Sequence, residues 1–186
     1  MKRLLIMLGF SLALPLAVHA VEFSQVQADK STIQFAYKQM GVAMDGKFRK
    51  FAAQLNFDPA KPAAAKAIID VDLASIDTGS TEVDQEVVGK QWFNAKAYPT
   101  ARFVSDNVKP LGGNRYEATG KLTMKGRTKD IVAPLTLTAQ GKQGAFDGVF
   151  SFKRSDFAIG EGEWSAFDLV ANDIQIKFHI LANPGK

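Results

Sequence analysis

The sequence predicts an all-β domain: an antiparallel barrel of about eight strands, closed or nearly closed, with one short helix between Thr81 and Phe93. Three observations carry this. From Val21 onward apolar and polar residues alternate with a period of two, the pattern of strands with one buried and one wet face. The links between the runs are short and rich in turn formers, as antiparallel neighbours require. Only one stretch breaks the period. A barrel is favoured over a two-sheet sandwich because closure removes exposed edges; alternation alone does not separate them.

The elements follow in order. Ile33, Phe35 and Tyr37 alternate with Thr32, Gln34, Ala36 and Lys38. Phe51, Ala53, Leu55 and Phe57 alternate with Ala52, Gln54, Asn56 and Asp58. Ala67, Ile69, Val71 and Leu73 share one face, with Asp70 and Asp72 on the other. Thr81 to Phe93 reads as the helix: Thr81 with Asp84 resembles a capping box, and Val83, Val87 and Val88 form its apolar stripe. Tyr98-Pro99 forces an extended restart, because the residue before proline avoids the helical region. Tyr116, Ala118, Gly120, Leu122 and Met124 make the next inward row, followed by Ile131, Ala133, Leu135 and Leu137. Pro134 stands in the polar phase of that strand; lacking an N–H donor, it marks a bulge or an edge. Phe146, Gly148, Phe150 and Phe152 come next, and Ile174, Ile176, Phe178, Ile180 and Ala182 close the chain. Met40-Gly41, Asp58-Pro59, residues 111–114, Lys125-Gly126-Arg127 and residues 141–144 supply the turns.

Residues 1–20 read as a cleaved secretory signal, and 21–186 as a single lipid-binding domain. Lys2-Arg3 precedes an apolar run from Leu4 to Val18, and Val18-His19-Ala20 offers small residues where a signal peptidase cuts. An N-terminal anchor helix is the competing reading, but the run is about 15 residues where a span needs about 20. The leader holds Lys2 and Arg3 and no acid, so cleavage lowers the formal charge from +4 to +2. Such a balance gives no long-range field for nucleic acid. Export without a second anchor points to the periplasm of a Gram-negative cell.

Composition removes much chemistry. With no cysteine in 186 residues, disulfides, thiolate metal sites, thiol nucleophiles, c-type haem and a Cys-anchored lipid are excluded. His19 leaves with the leader, so His179 is the only mature histidine, and its phase opposes Ile176, Phe178 and Ile180. A solvated strand histidine fits better than a triad base, which needs a pocket. The carboxylate pairs Asp70/Asp72, Asp84/Glu86 and Glu161/Glu163 read as solubilising charge, since glycosidase or hard-metal chemistry needs them converging in a cleft. Gly160-Glu161-Gly162 has no helix behind it, so it reads as a turn or bulge rather than a dinucleotide loop. Lys121, Lys125, Arg127 and Lys129 bunch around one hairpin, either as a charged turn or as a cationic rim for an anionic head group.

The inward phase mixes large residues (Phe35, Phe57, Phe150, Phe152, Phe178) with small ones (Ala53, Ala118, Gly120, Ala133, Gly148). An eight-stranded barrel is just wide enough to be filled by side chains or to hold one ligand. The small residues either leave room for a ligand or accommodate neighbouring phenylalanine rings.

Several pieces in order resemble the YceI-like family of exported bacterial proteins. They are Ser31-x-Ile33-x-Phe35-x-x-Lys38-x-Met40-Gly41, Gly46-Lys47-Phe48 leading to Phe57-Asp58-Pro59, and Ser75-Ile76-Asp77-Thr78-Gly79. Trp92-Phe93, Tyr98-Pro99-Thr100-Ala101-x-Phe103-x-Ser105 and Gly120-x-Leu122-Thr123-x-Lys125-Gly126-x-Thr128 follow. Arg154-x-Asp156-Phe157-x-Ile159-Gly160 and Asn172-Asp173-Ile174 complete the order. The resemblance spans nearly the whole mature chain. It implies a lipocalin-like barrel whose elongated cavity holds an amphiphile, with an isoprenoid quinone or a polyprenyl lipid as the bound ligand class. Two departures stand out: Gln39 occupies a position where relatives commonly carry histidine, and Asp84-Gln85-Glu86-Val87 replaces an Asp-x-His-Leu stretch.

The expected function is therefore a periplasmic carrier for a long-chain isoprenoid, with no catalytic residue, metal or other cofactor. The expected cavity wall is Ile33, Phe35, Tyr37, Leu55, Phe57, Ile69, Val71, Phe103, Leu122, Met124, Leu135, Leu137, Phe150, Phe152, Ile176 and Phe178. The expected head-group rim is Lys125, Arg127 and Lys129, with Gln39 and Asp77. The partner is an amphiphilic lipid and not a nucleic acid, with room for transient membrane contact and a homodimer. Two other readings stay open: a ligand-free interaction module with a solid core, and an isoprenoid- or quinone-modifying enzyme using Tyr37 or Tyr116.

Overall fold

The computed structural model describes residues 21–185; the expected signal segment, residues 1–20, lies outside them. The described residues form eleven strands and one α-helix. In chain order the strands are β1 (Phe23–Val26), β2 (Thr32–Gln39), β3 (Val42–Phe48), β4 (Phe51–Asn56), β5 (Lys66–Asp72) and β6 (Ile76–Asp77). After helix α1 (Thr81–Val87) come β7 (Thr100–Gly112), β8 (Arg115–Met124), β9 (Arg127–Gln140), β10 (Gln143–Lys153) and β11 (Asp173–Pro184). The all-β antiparallel expectation holds, but the count exceeds about eight. Two of the extra strands are very short, β1 of four residues and β6 of two. In β3 the inward row is Met44, Gly46 and Phe48, and its glycine breaks the apolar signal.

One antiparallel sheet runs β4-β5-β7-β8-β9-β10-β11-β2-β3-β6, with β1 added on β11. Its curl has a covalent cause. β3 and β4 stand near opposite ends of that order, yet only Arg49 and Lys50 separate them in the chain. The corner is fastened to the end of β5 and the turn after it: Asp72 N donates to Lys50 O at 3.1 Å and Arg49 N to Ser75 O at 2.9 Å. At the other end β1 reaches from β11 to β4, where Phe23 and Phe57 exchange backbone hydrogen bonds of 2.8 and 3.0 Å. The sheet is thus closed at two places rather than by a continuous ladder.

The helix is shorter than the broken stretch. Ser80, not Thr81, caps it by accepting from Val83 N, while Asp84 turns back to accept from Thr78 N at 2.8 Å. Pro134 lies where an edge was predicted. β8 pairs with β9 straight through it, but the β9–β10 ladder stops at Leu135 opposite Gly148. Beyond that point β9 and β10 part, and the 3-10 turn Arg154–Phe157 packs into the gap.

Two clusters close the ends of the barrel. At one end Phe57 meets Tyr116 and Phe146 edge-on at 5.1 Å each, and Phe146 meets Phe23 at 5.8 Å. At the other Leu73, Trp92, Phe93, Phe157 and Val170 are buried. Between them Ile69, Phe103, Phe150, Phe152, Ile176 and Phe178 point inward yet remain only half-buried. Inward side chains stay accessible when they face a space instead of other atoms.

Candidate functional site

That space is a cavity of about 490 Å³. Its size lies within the ~300–1,000 Å³ range of ligand pockets. The wall is overwhelmingly apolar, contributed by nearly every strand. The hollow survives because of how the rings lie. Phe178 is directly opposite Gly148, and Phe35 directly opposite Gly46. In each pair the ring covers the glycine so closely that a Cβ there would strike it. Gly120 carries the Phe103 ring in the same way. The glycines let rings lie flat against the sheet instead of standing into the middle. Both readings of the small inward residues are therefore realised at once: they accommodate neighbouring rings, and so leave the centre open.

The cavity reaches the surface at two places. One lies between α1 and β2, where Gln39, Thr78, Glu82, Val83 and Glu86 line it and Val83 and the two glutamates are exposed. The other lies beside β4 and β5, where the exposed Gln54 and Lys66 line it. A strap, residues 158–172, crosses the first opening. Its Trp164 donates from Nε1 to Glu86 Oε1 at 3.1 Å and packs on Trp92 at 5.5 Å between ring centroids. Trp92 Nε1 itself is buried without a partner, a cost of about 1–3 kcal/mol.

The strap is wound around Arg154, which is 1% exposed. Its Nη1 donates to Ile159 O and Gly160 O at 2.8 and 2.9 Å, and its Nη2 to Trp164 O and Val170 O at 2.7 and 2.8 Å. Nε reaches Ala171 O at 3.2 Å. The guanidinium also lies over the rings of Trp92 and Phe167, at 5.8 and 5.2 Å. Gly160 has φ +75°, and a Cβ there would strike the guanidinium. Gly160-Glu161-Gly162 is thus a turn folded around an arginine.

Every expected wall residue lines the cavity except Leu137, which is packed into the Phe23–Phe146 end cluster. Tyr37 lines it beside the mouth, and burial, with Asp45 adding, raises its pKa. Tyr116 is buried in the end cluster, away from the hollow. Of the expected rim, Gln39 lines the cavity, while Asp77 lies next to the lining Thr78. The cationic hairpin is elsewhere. Lys125 Nζ is engaged by Ala158 O at 2.6 Å and Glu161 Oε2 at 2.8 Å. Arg127 borders a separate dent with Ser155 and Glu161, and Lys129 is exposed. None of the three lines the hollow: Arg127 and Lys129 are paired with Met124 and Leu122, past the point where β10 leaves β9. Glu82 and Trp164 were not singled out in the sequence, and Trp92 and Arg154 stood there only as pieces of the resemblance, without a role at the site. They come from the aperiodic segments, where the helix cue at Thr81, the Trp92-Phe93 and Arg154-x-Asp156 motifs and the Gly160-x-Gly162 pair were the visible signals.

The other carboxylates have structural partners. Asp70 takes both oxygens to Arg102, and Asp72 caps the turn after β5. His179 stands on the outer face with Asp147, Nδ1 to Oδ1 2.7 Å. No cluster of three or more His, Asp or Glu suited to a metal ion occurs among the described residues.

A family model described as the YceI-like domain matches residues 25–182. A UPF0312 protein of Pseudomonas syringae pv. tomato is 30% identical over 169 residues, covering 86% of this chain and 88% of the relative. The crystal structure of Burkholderia cenocepacia BcnA shares 46% identity and superposes with a TM-score of 0.83, over 86% of this chain and all of that one. A polyisoprenoid binding domain from Saccharophagus degradans, implicated in plant cell wall breakdown, superposes with a TM-score of 0.69 at 14% identity, over 89% of this chain and 99% of that one. At that identity the likeness is one of fold.

Proposed function

The chain belongs to the YceI-like domain family, and from that premise we propose that it is a periplasmic binding and carrier protein for a long-chain isoprenoid, a polyprenyl lipid or an isoprenoid quinone. The hollow carries this reading. It is apolar along its length, built from rings laid against glycines, and open at the surface. Each ligand CH₂ buried in it contributes about 0.8 kcal/mol before ordering costs. A chain of many carbons thus binds usefully without a polar contact. The Saccharophagus domain, named for polyisoprenoid binding, has the same fold, which supports the ligand class. A solid-core interaction module is disfavoured by the hollow. An enzyme would need reactive groups on the wall, and of the two inward tyrosines only Tyr37 lines it.

The test is organic extraction of protein purified from its own host, followed by mass spectrometry. One isoprenoid per chain is expected, and the stripped protein should take it up again. Repeated empty extracts together with no uptake would overturn the reading.

A further inference from the structure

Exposed apolar side chains gather beside the mouth. Met40 is 66% exposed and Val42 62%, both at the tip of the β2–β3 hairpin. Leu169 and Phe167 on the strap are exposed as well. Strap and tip are joined: Met40 N donates to Leu169 O at 2.9 Å, and Gln39 bridges to Val170. Val42 and Met44 are in register with Gln39 and Tyr37, both of which line the cavity. They therefore stand on the strand face that looks into the hollow, carried past its mouth. The wall does not stop at the opening but continues outward as an apolar lip. Exposed Leu111, Val132 and Val149 elsewhere are scattered singles of the kind every surface has.

We propose that this lip seats the protein on the uncharged surface of a lipid bilayer, so that the occupant passes between bilayer and hollow without crossing water. The proposal rests on the carrier reading, because continuity with the cavity identifies the partner: the reservoir of a long isoprenoid is a membrane. Charge decides the kind of surface. The charges of the same hairpin and strap, Lys38, Asp45, Lys47, Glu161, Glu163 and Asp168, are mixed in sign with acids in the majority, so anionic lipid gains no preference. Size argues against a second copy of the chain. Five partly exposed side chains offer on the order of half the ~800 Å² per partner that a stable dimer needs.

The test is flotation of the purified protein with phosphatidylcholine vesicles, comparing it with a Met40→Asp/Val42→Asp variant. Neither residue lines the cavity, and unchanged near-UV circular dichroism checks the variant's fold. Loading of the apolar dye N-phenyl-1-naphthylamine, added without vesicles, reports the hollow separately. The proposal expects the protein to float, the variant to partition at least ~10-fold more weakly, and both to load dye alike. Failure to float while dye loads overturns the lip and leaves the carrier reading intact. Flotation without dye loading sustains the lip as a membrane contact and counts against the hollow. Flotation only with phosphatidylglycerol, abolished by salt, overturns it in favour of surface charge. A dimer in light scattering that the variant dissociates overturns it in favour of self-association.

Discussion

Arg154 holds a buried charge with no acidic partner among the described residues, and its stabilisation comes from backbone carbonyls of the strap. Planarity matters more than charge here. The fork reaches residues 159–160 on one side and 164–171 on the other, which a lysine ammonium cannot span. Removing it strands several buried carbonyls as well as a packing volume. Arg154→Lys and Arg154→Met should each cost about 3–5 kcal/mol in urea unfolding, with lysine giving little rescue. A full rescue by lysine would show that charge alone holds the strap. Gly148 is the second decisive residue. A methyl there meets the Phe178 ring and, at 2.6 Å, the backbone oxygen of Pro134. The ring can move but the strand cannot move easily. Gly148→Ala should cost about 1–3 kcal/mol and drive the ring into the hollow, reducing dye loading. Unchanged stability and loading would mean that the ring does not lie where the structure has it.

At the scale of elements, the mouth is assembled by short pieces tied with ions, in contrast to the long ladders of β7 to β11. Asp77 of β6 accepts from Gly79 N at 3.2 Å and pairs with Arg49 at 3.0 Å. The Gly79 amide chiefly, then Arg49 and Lys47, hold its carboxyl below the usual range. Glu161 is lowered likewise by Lys125, through a hydrogen bond first and charge second. A carboxyl with a depressed folded pKa adds stability above its unfolded pKa, about 4, and loses it as pH falls through the folded value. The β6 and strap contacts should therefore loosen in acid below about pH 4, while β8–β10 amides stay protected. Carbon-detected NMR titration checks this: Asp77 and Glu161 should titrate below their reference values, and Arg49→Ala should raise Asp77. Titration at ordinary values would remove the latch. The same contrast explains what could be read from sequence. β8 alternates without a fault from Tyr116 to Met124, and its partner β9 and the next strand, β10, were equally plain. β7 was not, because its register shifts between Ser105 and Asn107 and the phase slips. The wall was legible for the same reason as the strands, since facing the hollow is a matter of phase. The rim was not. Lys125, Arg127 and Lys129 looked like a head-group site because charge clusters are visible in sequence, whereas the parting of β9 from β10 is tertiary. Trp92, Arg154 and Trp164 meet only through folding of aperiodic segments.

For the molecule as a whole, the hollow sets the energetics. A void of about 490 Å³ cut into a packed core would cost about 12 kcal/mol at ~24 cal/mol per Å³, as much as the entire net stability of a typical domain. This chain avoids most of that cost by placing its packing elsewhere. The Phe23–Phe57–Tyr116–Phe146 cluster closes one end, Leu73 and Phe157 the other, and antiparallel ladders join them. The middle is left for an occupant, whose binding adds stability because only the folded barrel offers the site. At a free ligand concentration of 100 Kd the gain is about 2.7 kcal/mol, or roughly 5–10 °C in Tm for a domain of this size. The stripped protein should keep its far-UV circular dichroism, since no strand pairing depends on the middle, and should melt lower than the loaded protein by that amount. Adding back the extracted lipid should restore the higher Tm in proportion to the logarithm of its concentration. Identical melting of stripped and reloaded protein, with lipid shown to be present, would place the lipid outside the barrel.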